Sequence, residues 1–240
     1  MSNSLDEHAA AYQGDSIFDF DNEILLNWYS ERILGLVDNA RSMLELGLGH
    51  GHSAQKFAGC FERHVVLEGS EAVIRQFRDQ YPDCKAEITQ TWFEEFETDE
   101  RFDLIVIGFV LEHVEEPRLI LEHFKRFLAP RGRVFVAVPN AEVMNRRLGS
   151  LAGMLDDVTT LSNNDVLLGH KRFYTSDTFR AELVDAGFKV ERMEGIYLKP
   201  FTTAQMLSLN LDPTIVGALC TMGIEYPELS CGLLAEITLQ

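Results

Sequence analysis

Leu44-Glu45-Leu46-Gly47-Leu48-Gly49-His50-Gly51 reads as a buried strand that runs into a glycine-punctuated turn and opens a helix. Glycine at such a turn lets a ligand touch the backbone, and the N–H groups at the helix start then point at that ligand. The dinucleotide fingerprint GxGxxG sets its third glycine three residues after the second. Here it comes two after, as GxGxG. Seventeen residues beyond Gly51, Glu68 ends the apolar run Val65-Val66-Leu67, where a carboxylate can accept hydrogen bonds from both hydroxyls of a ribose. Loop, strand and acid in register point to a nucleotide-type ligand.

Outward from this loop, short apolar runs alternate with helical patterns: Met43–Leu48 then 53–61, Val65–Leu67 then 71–81, Phe102–Phe109 then 117–128, and Val134–Val138. Near-continuous apolar strands between helices mean a parallel sheet covered on both faces, an α/β fold. Before it, Leu25, Leu26, Tyr29, Ile33 and Leu36 recur at helical spacing behind an acidic arm over residues 1–20. After it, residues 141–171 break the rhythm with Gly149, Gly153, Asn163, Asn164 and Gly169, which predicts a substrate-side lid insertion over 141–175. Thr175 is positioned to cap a helix closed by Gly187, a strand resumes over 189–196, and the tail holds two substrate-side helical patterns within 200–227 and a last strand, Gly232–Leu239. A chain of 240 residues fits one domain, with residues 1–40 as a cap arm and helix.

Glu45 through Gly51, followed by Glu68, resembles the first two motifs of the class I S-adenosylmethionine-dependent methyltransferases. Further pieces follow in order from Ser42 to Val190. Thr91-Trp92-Phe93 resembles the loop after the third strand, and Phe102 to Val114 is similar to the fourth strand with its LEHV turn. Leu128 to Gly132 resembles an LxPGG turn in which Arg131 replaces the first glycine, and Gly169-His170-Lys171-Arg172-Phe173-Tyr174-Thr175 with Ala186-Gly187-Phe188 is similar to the small-molecule branch that includes ubiquinone-pathway O-methyltransferases. The resemblance implies a Rossmann-like sheet of seven strands, mostly parallel with the last antiparallel. It implies S-adenosylmethionine as cofactor, with Glu45, Gly47, Gly49 and Gly51 at its methionine end, Glu68, Gly69 and Ser70 at the ribose, Thr91, Trp92 and Phe93 at the adenine, and Gly108 and Phe109 supplying backbone.

Methyl transfer from a sulfonium is an in-line displacement, so acceptor and methyl must be held close with water excluded. Glu112 and His113, directly after the fourth strand, are placed to meet the acceptor as catalytic residues, and a structural cap is the alternative for each. His170 is a further candidate base, with a solvated basic patch as its alternative, and Lys171 and Arg172 are candidate substrate anchors beside it. Asn140 ends a strand where substrate can touch it or where an Asx turn can form. Tyr12 and Tyr29 are aromatic candidates for the substrate side, although Trp28 and Tyr29 at helical spacing also suit a core. No metal is expected, because Phe109 stands where metal-binding relatives with an ExxEH motif have an acid, and His50 and His52 read as surface residues.

The bulk numbers narrow the partners. With 38 acidic and 21 basic residues the formal charge is -17, which repels nucleic acid and anionic membrane surfaces. Four scattered cysteines without a CxxC pair and no apolar stretch of bilayer length suggest a cytoplasmic chain. The expected partner is a small-molecule methyl acceptor, at oxygen first and at an amine nitrogen second, and the oligomeric state is left open, a homodimer included. A nicotinamide-dependent oxidoreductase and an inactive cofactor-binding regulator are the competing classes.

Overall fold

The computed structural model describes Leu5, Asp6 and residues 16–240. Seven strands form one sheet in the order β3-β2-β1-β4-β5-β7-β6. The strands are β1 (Ser42–Leu46), β2 (Arg63–Glu68), β3 (Glu87–Gln90), β4 (Phe102–Gly108), β5 (Leu128–Pro139), β6 (Phe188–Leu198) and β7 (Ser230–Leu239). The first five pair in parallel, and β7 is antiparallel to both its neighbours, β5 and β6.

Alternation along each central strand sends neighbouring side chains into different cores. Met43, Leu104, Val106, Phe135 and Ala137 pack with Leu25, Tyr29 and Ile33 of α1 (Asp19–Leu36) and Phe57 of α2 (His52–Phe57). Leu44, Leu46, Ile105, Ile107, Val134 and Val136 pack on the other face with Ile120, Leu121 and Phe124 of α4 (Pro117–Phe124) and Phe179 and Leu183 of α7 (Ser176–Asp185). A smaller cluster joins Leu48, Ala54 and Val66 to Val73, Ile74 and Phe77 of α3 (Glu71–Gln80). Burial of both faces explains why these strands are apolar without interruption.

Two expectations shift. The helix read over 53–61 stops at Phe57, because Ala58 leaves the helical region at ψ 125° and with Gly59 at φ +80° forms a turn closed by the Cys60 N–H donating to the Phe57 carbonyl at 3.0 Å. The segment 141–175 is more ordered than a bare loop: it holds α5 (Met144–Leu151) and α6 (Asn163–Leu167) and is closed at its base by an Asn140–Tyr174 bridge and a 2.7 Å bond from the Ala141 N–H to the Tyr174 carbonyl. Two helices, α8 (Thr203–Ser208) and α9 (Pro213–Glu225), precede β7 as the tail pattern predicts.

Because β1 lies between β2 and β4, the crossovers on either side of it lead in opposite directions, which opens a crevice at the carboxyl ends of the strands. The glycine loop leaves β1 at that crevice.

Candidate active site

A cavity of about 670 Å³ occupies the crevice, within the 300–1,000 Å³ or so usual for small-molecule sites. Gly47, Leu48 and Gly49 form one wall. Gly47 anchors the loop by donating its N–H to the Leu67 carbonyl at 2.8 Å. Glu68 ends β2 beside it and is spent partly on the backbone: one carboxylate oxygen accepts the Leu48 N–H at 3.0 Å and the other the Ser70 N–H at 2.8 Å. Burial raises its pKa, and these N–H bonds oppose the rise. Gly69, Ser70, Thr91, Trp92 and Phe93 continue the same wall, with the Trp92 indole 40% exposed at the mouth. Asp6 reaches this end, accepting the Ser70 hydroxyl at 2.6 Å, and Leu5 lies against Gly69.

Besides Arg172, three residues expected at the cofactor or acceptor lie outside the cavity lining. Glu45 is buried outside the cavity lining, its carboxylate 2.9 Å from His64 Nε2, because it points to the α1–α2 face of β1. Gly51 also lies outside the lining and does a packing job: its φ is +80°, and a Cβ there would come within 2.6 Å of the Phe77 ring. Tyr29 is core, edge-on to Phe57 and Phe109, and its hydroxyl lies so near Gly108 that a Cβ on that glycine would meet it at 2.5 Å. Gly108 is therefore glycine to let α1 close on the end of β4. Phe109, next along, is held in a left-handed conformation at φ +57° at the cavity wall. Tyr12 falls outside the described residues.

The opposite wall unites two distant stretches of sequence. Arg172 does not line the cavity; its guanidinium donates to the carbonyls of Leu111, Val114 and Glu115 at 2.8, 2.5 and 2.9 Å. The Lys171 N–H donates to the Glu112 carbonyl at 2.8 Å, and its ammonium pairs with Glu115 at 2.6 Å. This clasp brings the His170 ring edge-on to His113, centroids 4.7 Å apart. Burial lowers the His170 pKa, with Asp165 at 3.5 Å from Nδ1 partly offsetting it. Glu112 is fully buried, and that burial pushes its pKa up to about 8 although Arg172 works against it. One ligand atom from each of Glu112, His113 and His170 lies within 4.8 Å of the others, a spacing able to gather around a cation. The sequence reading discounted a metal on the Phe109 position alone and did not see His170 arriving as a third donor. Ligation of a cation there would require Glu112 to give up its proton in favour of the ion.

Asn140 lines the cavity but its polar atoms are engaged in structure. Its amide donates to the carbonyls of Pro227, Glu228 and Ser230, and its oxygen accepts the Glu142 N–H at 3.0 Å as an Asx turn. His50, read as a surface residue, lines the cavity instead, 3.1 Å from the Asn22 amide of α1.

A family model described as a methyltransferase domain matches residues 25–192. The chain belongs to that methyltransferase family. Its cofactor is S-adenosylmethionine, and the nicotinamide alternative falls away. A ubiquinone biosynthesis O-methyltransferase of Acinetobacter baylyi is 24% identical to it over 196 residues, 80% of each chain. Among solved structures, the N-methyltransferase NodS from Bradyrhizobium japonicum in complex with S-adenosyl-L-homocysteine aligns at TM-score 0.56 and 16% identity over 93% of this chain and 88% of that one. The glycopeptide N-methyltransferase MtfA complexed with S-adenosylmethionine aligns at 0.58 and 16% over 89% and 94%.

The methyltransferase holds further cavity residues that motif reading passed over: Asp21 and Lys199 face the end away from Trp92, joined by a buried ion pair that also takes the Thr203 hydroxyl. No local spacing signals this pair, because α1 and the end of β6 meet only in the fold.

Proposed function

We propose that the methyltransferase moves a methyl group onto a hydroxyl oxygen of a small molecule, with His170 and His113 receiving the proton. The observation that carries this reading is the His113–His170 pair at the cavity wall facing the glycine loop. S-adenosylmethionine supplies an electrophilic methyl on a sulfonium. Gly47 and Gly49 offer bare backbone for its amino-acid end, Glu68 keeps acceptor lone pairs for ribose hydroxyls beside Gly69 and Ser70, and Trp92 with Thr91 and Phe93 offers a face for adenine. Gly108 and Phe109 contribute the wall between cofactor and acceptor.

Lowered basicity favours the neutral form of His170, able to accept a proton, and the Asp165 carboxylate 3.5 Å from Nδ1 favours the imidazolium once the proton arrives. Residues 141–175 act as the lid in this reading, whereas none of residues 200–227, expected on the substrate side, lines the cavity; Thr203 of α8 only backs Asp21. Four free cysteines agree with a reducing, cytoplasmic setting. No helix among the described residues is long and apolar enough to cross a membrane.

Radiolabelled methyl transfer with wild type and His170→Ala tests the reading. A fall in kcat of about a hundredfold or more, with S-adenosylhomocysteine affinity retained, supports it. Unchanged turnover refutes the base assignment, and product methylated at an amine nitrogen refutes the choice of oxygen.

A further inference from the structure

Three lysine or arginine side chains line the cavity among the described residues, and two of them are matched, Lys199 by Asp21 and Lys171 by Glu115. The third is Arg146 of α5, half-buried, and no carboxylate of the described residues comes within 4.0 Å of it. Its Nε and Nη2 donate to the carbonyls of Val158 and Thr160 at 3.0 and 2.5 Å, and its Cζ lies 4.8 Å over the Phe173 ring. Nη1, with two N–H groups, makes no hydrogen bond among the described residues and is not enclosed, so it stays open to a ligand. Burial lowers the Arg146 pKa, and Asp165 and Asp157 oppose the shift only from a distance. Those two carboxylates are spent locally: Asp165 takes the Ser162 N–H and hydroxyl and lies 3.5 Å from His170, and exposed Asp157 takes the Thr159 N–H and hydroxyl. Carbonyls and a ring face ease the desolvation of a guanidinium but bring no counter-charge.

We propose that the methyl acceptor is a hydroxylated carboxylic acid, its carboxylate accepting from Arg146 Nη1 while its hydroxyl meets the His113–His170 pair. The inference rests on the methyltransferase reading above and names its substrate class. The two ends are joined by geometry: the Phe173 ring that lies under Arg146 is also edge-on to His170, with 6.3 Å between centroids, so anchor and base flank one ring at the cavity wall. A planar guanidinium suits a carboxylate, and the pair is charge-assisted. An ammonium in the same place would meet a like charge in a partly desolvated wall, and a neutral group would leave the guanidinium without a counter-charge. Two carboxylates near the base do not reverse this, since Glu112 keeps its proton up to about pH 8 and Asp165 faces the imidazolium that forms at His170. The formal charge of -17 acts at long range, where salt screens it beyond about 8 Å, and leaves the contact pair to decide. In the transfer the O–C bond forms as the S–C bond breaks, the hydroxyl proton passes to the histidine pair, and the carboxylate is unchanged.

The test follows radiolabelled methyl transfer from S-adenosylmethionine to para-hydroxyphenylacetate, para-hydroxyphenylacetamide and tyramine, which share a phenol and differ in the charge of the far end. Mandelate and mandelamide repeat the comparison with an aliphatic hydroxyl. Wild type and Arg146→Met are compared, and S-adenosylhomocysteine is titrated into both by calorimetry. The inference expects transfer to the hydroxyl of at least one acid, with a KM about tenfold or more below that of its amide, and none to tyramine. In Arg146→Met the KM of the acid should rise to that of the amide, with S-adenosylhomocysteine affinity held. An arginine that only holds the 158–160 backbone would weaken acid and amide alike and leave the preference in place. Should that variant melt early, Arg146→Gln takes its place, and the preference of wild type needs no variant at all. Equal handling of acid and amide by wild type, a preference that survives loss of the guanidinium, transfer to tyramine, a methyl ester product, or silence of both acids in a protein that binds S-adenosylhomocysteine overturns the inference and leaves methyl transfer standing. Loss of S-adenosylhomocysteine binding by wild type removes the methyltransferase reading and this inference with it.

Discussion

Glu112 is the residue whose protonation most exposes the site to pH. Its folded pKa of about 8 stands above the ordinary 4.5, so between those values the folded chain keeps a proton that the unfolded chain has released. Stability from this group is therefore complete at low pH and falls as pH rises through about 8. Thermal melts across that window should show wild type losing more stability than Glu112→Gln, which cannot ionise; parallel curves would mean that Glu112 is not held protonated. Gly51 tests the correction made at the loop. Gly51→Ala forces a side chain into a left-handed backbone and against Phe77, and should destabilise the fold by about 2 kcal/mol or more in denaturant titrations. At the single-residue scale the sequence was informative where chemistry is local, as with the Asx turn of Asn140 or the acid closing β2. It was blind to Glu45–His64, because that pair depends on which face of β1 the side chain takes and on a partner brought in by β2.

Among the elements, the 170–172 strap and the 111–115 turn behave as one unit. Arg172 holds three carbonyls of the turn that carries Glu112 and His113, so its loss frees that turn and leaves buried acceptors unpaired. Arg172→Ala should cost about 2 kcal/mol of stability and lower kcat with little change in S-adenosylhomocysteine affinity. Arg172→Lys should rescue little, since an ammonium cannot span the same three oxygens. An equal loss of cofactor affinity would place Arg172 in the cofactor site instead. The glycine loop, the central strands and most helices were legible in sequence from apolar runs, caps and glycine stops. The strap was legible only as a motif, because its bonds run to backbone carbonyls, which have no residue signature. The helices α5 and α6 were read as rhythm-breaking loop since they are short and bury no continuous stripe: neither contains a buried residue.

At the scale of the molecule, one sheet with a reversal beside β1 explains why residues from 5 to 231 converge on one cavity. The order of motifs along the chain led to the wall of that cavity beside the glycine loop, whose residues follow the loop closely. The rest of the lining draws on α1, the 141–175 segment and the end of β6, and could not be read from spacing. If the Glu112–His113–His170 cluster handles protons, chelating divalent metal with EDTA should leave turnover unchanged, and reactivation of a chelated enzyme by added metal would reassign the cluster. Cofactor binding should also raise thermal stability, by about 2.7 kcal/mol at a hundredfold excess over Kd. The central claim is that the cavity accepts an adenosyl cofactor at the glycine loop, and side-by-side calorimetric titration of S-adenosylmethionine, S-adenosylhomocysteine and NADH tests it most directly. The account predicts saturable micromolar binding of both adenosyl ligands and none of NADH; NADH binding, or silence from all three, would contradict it.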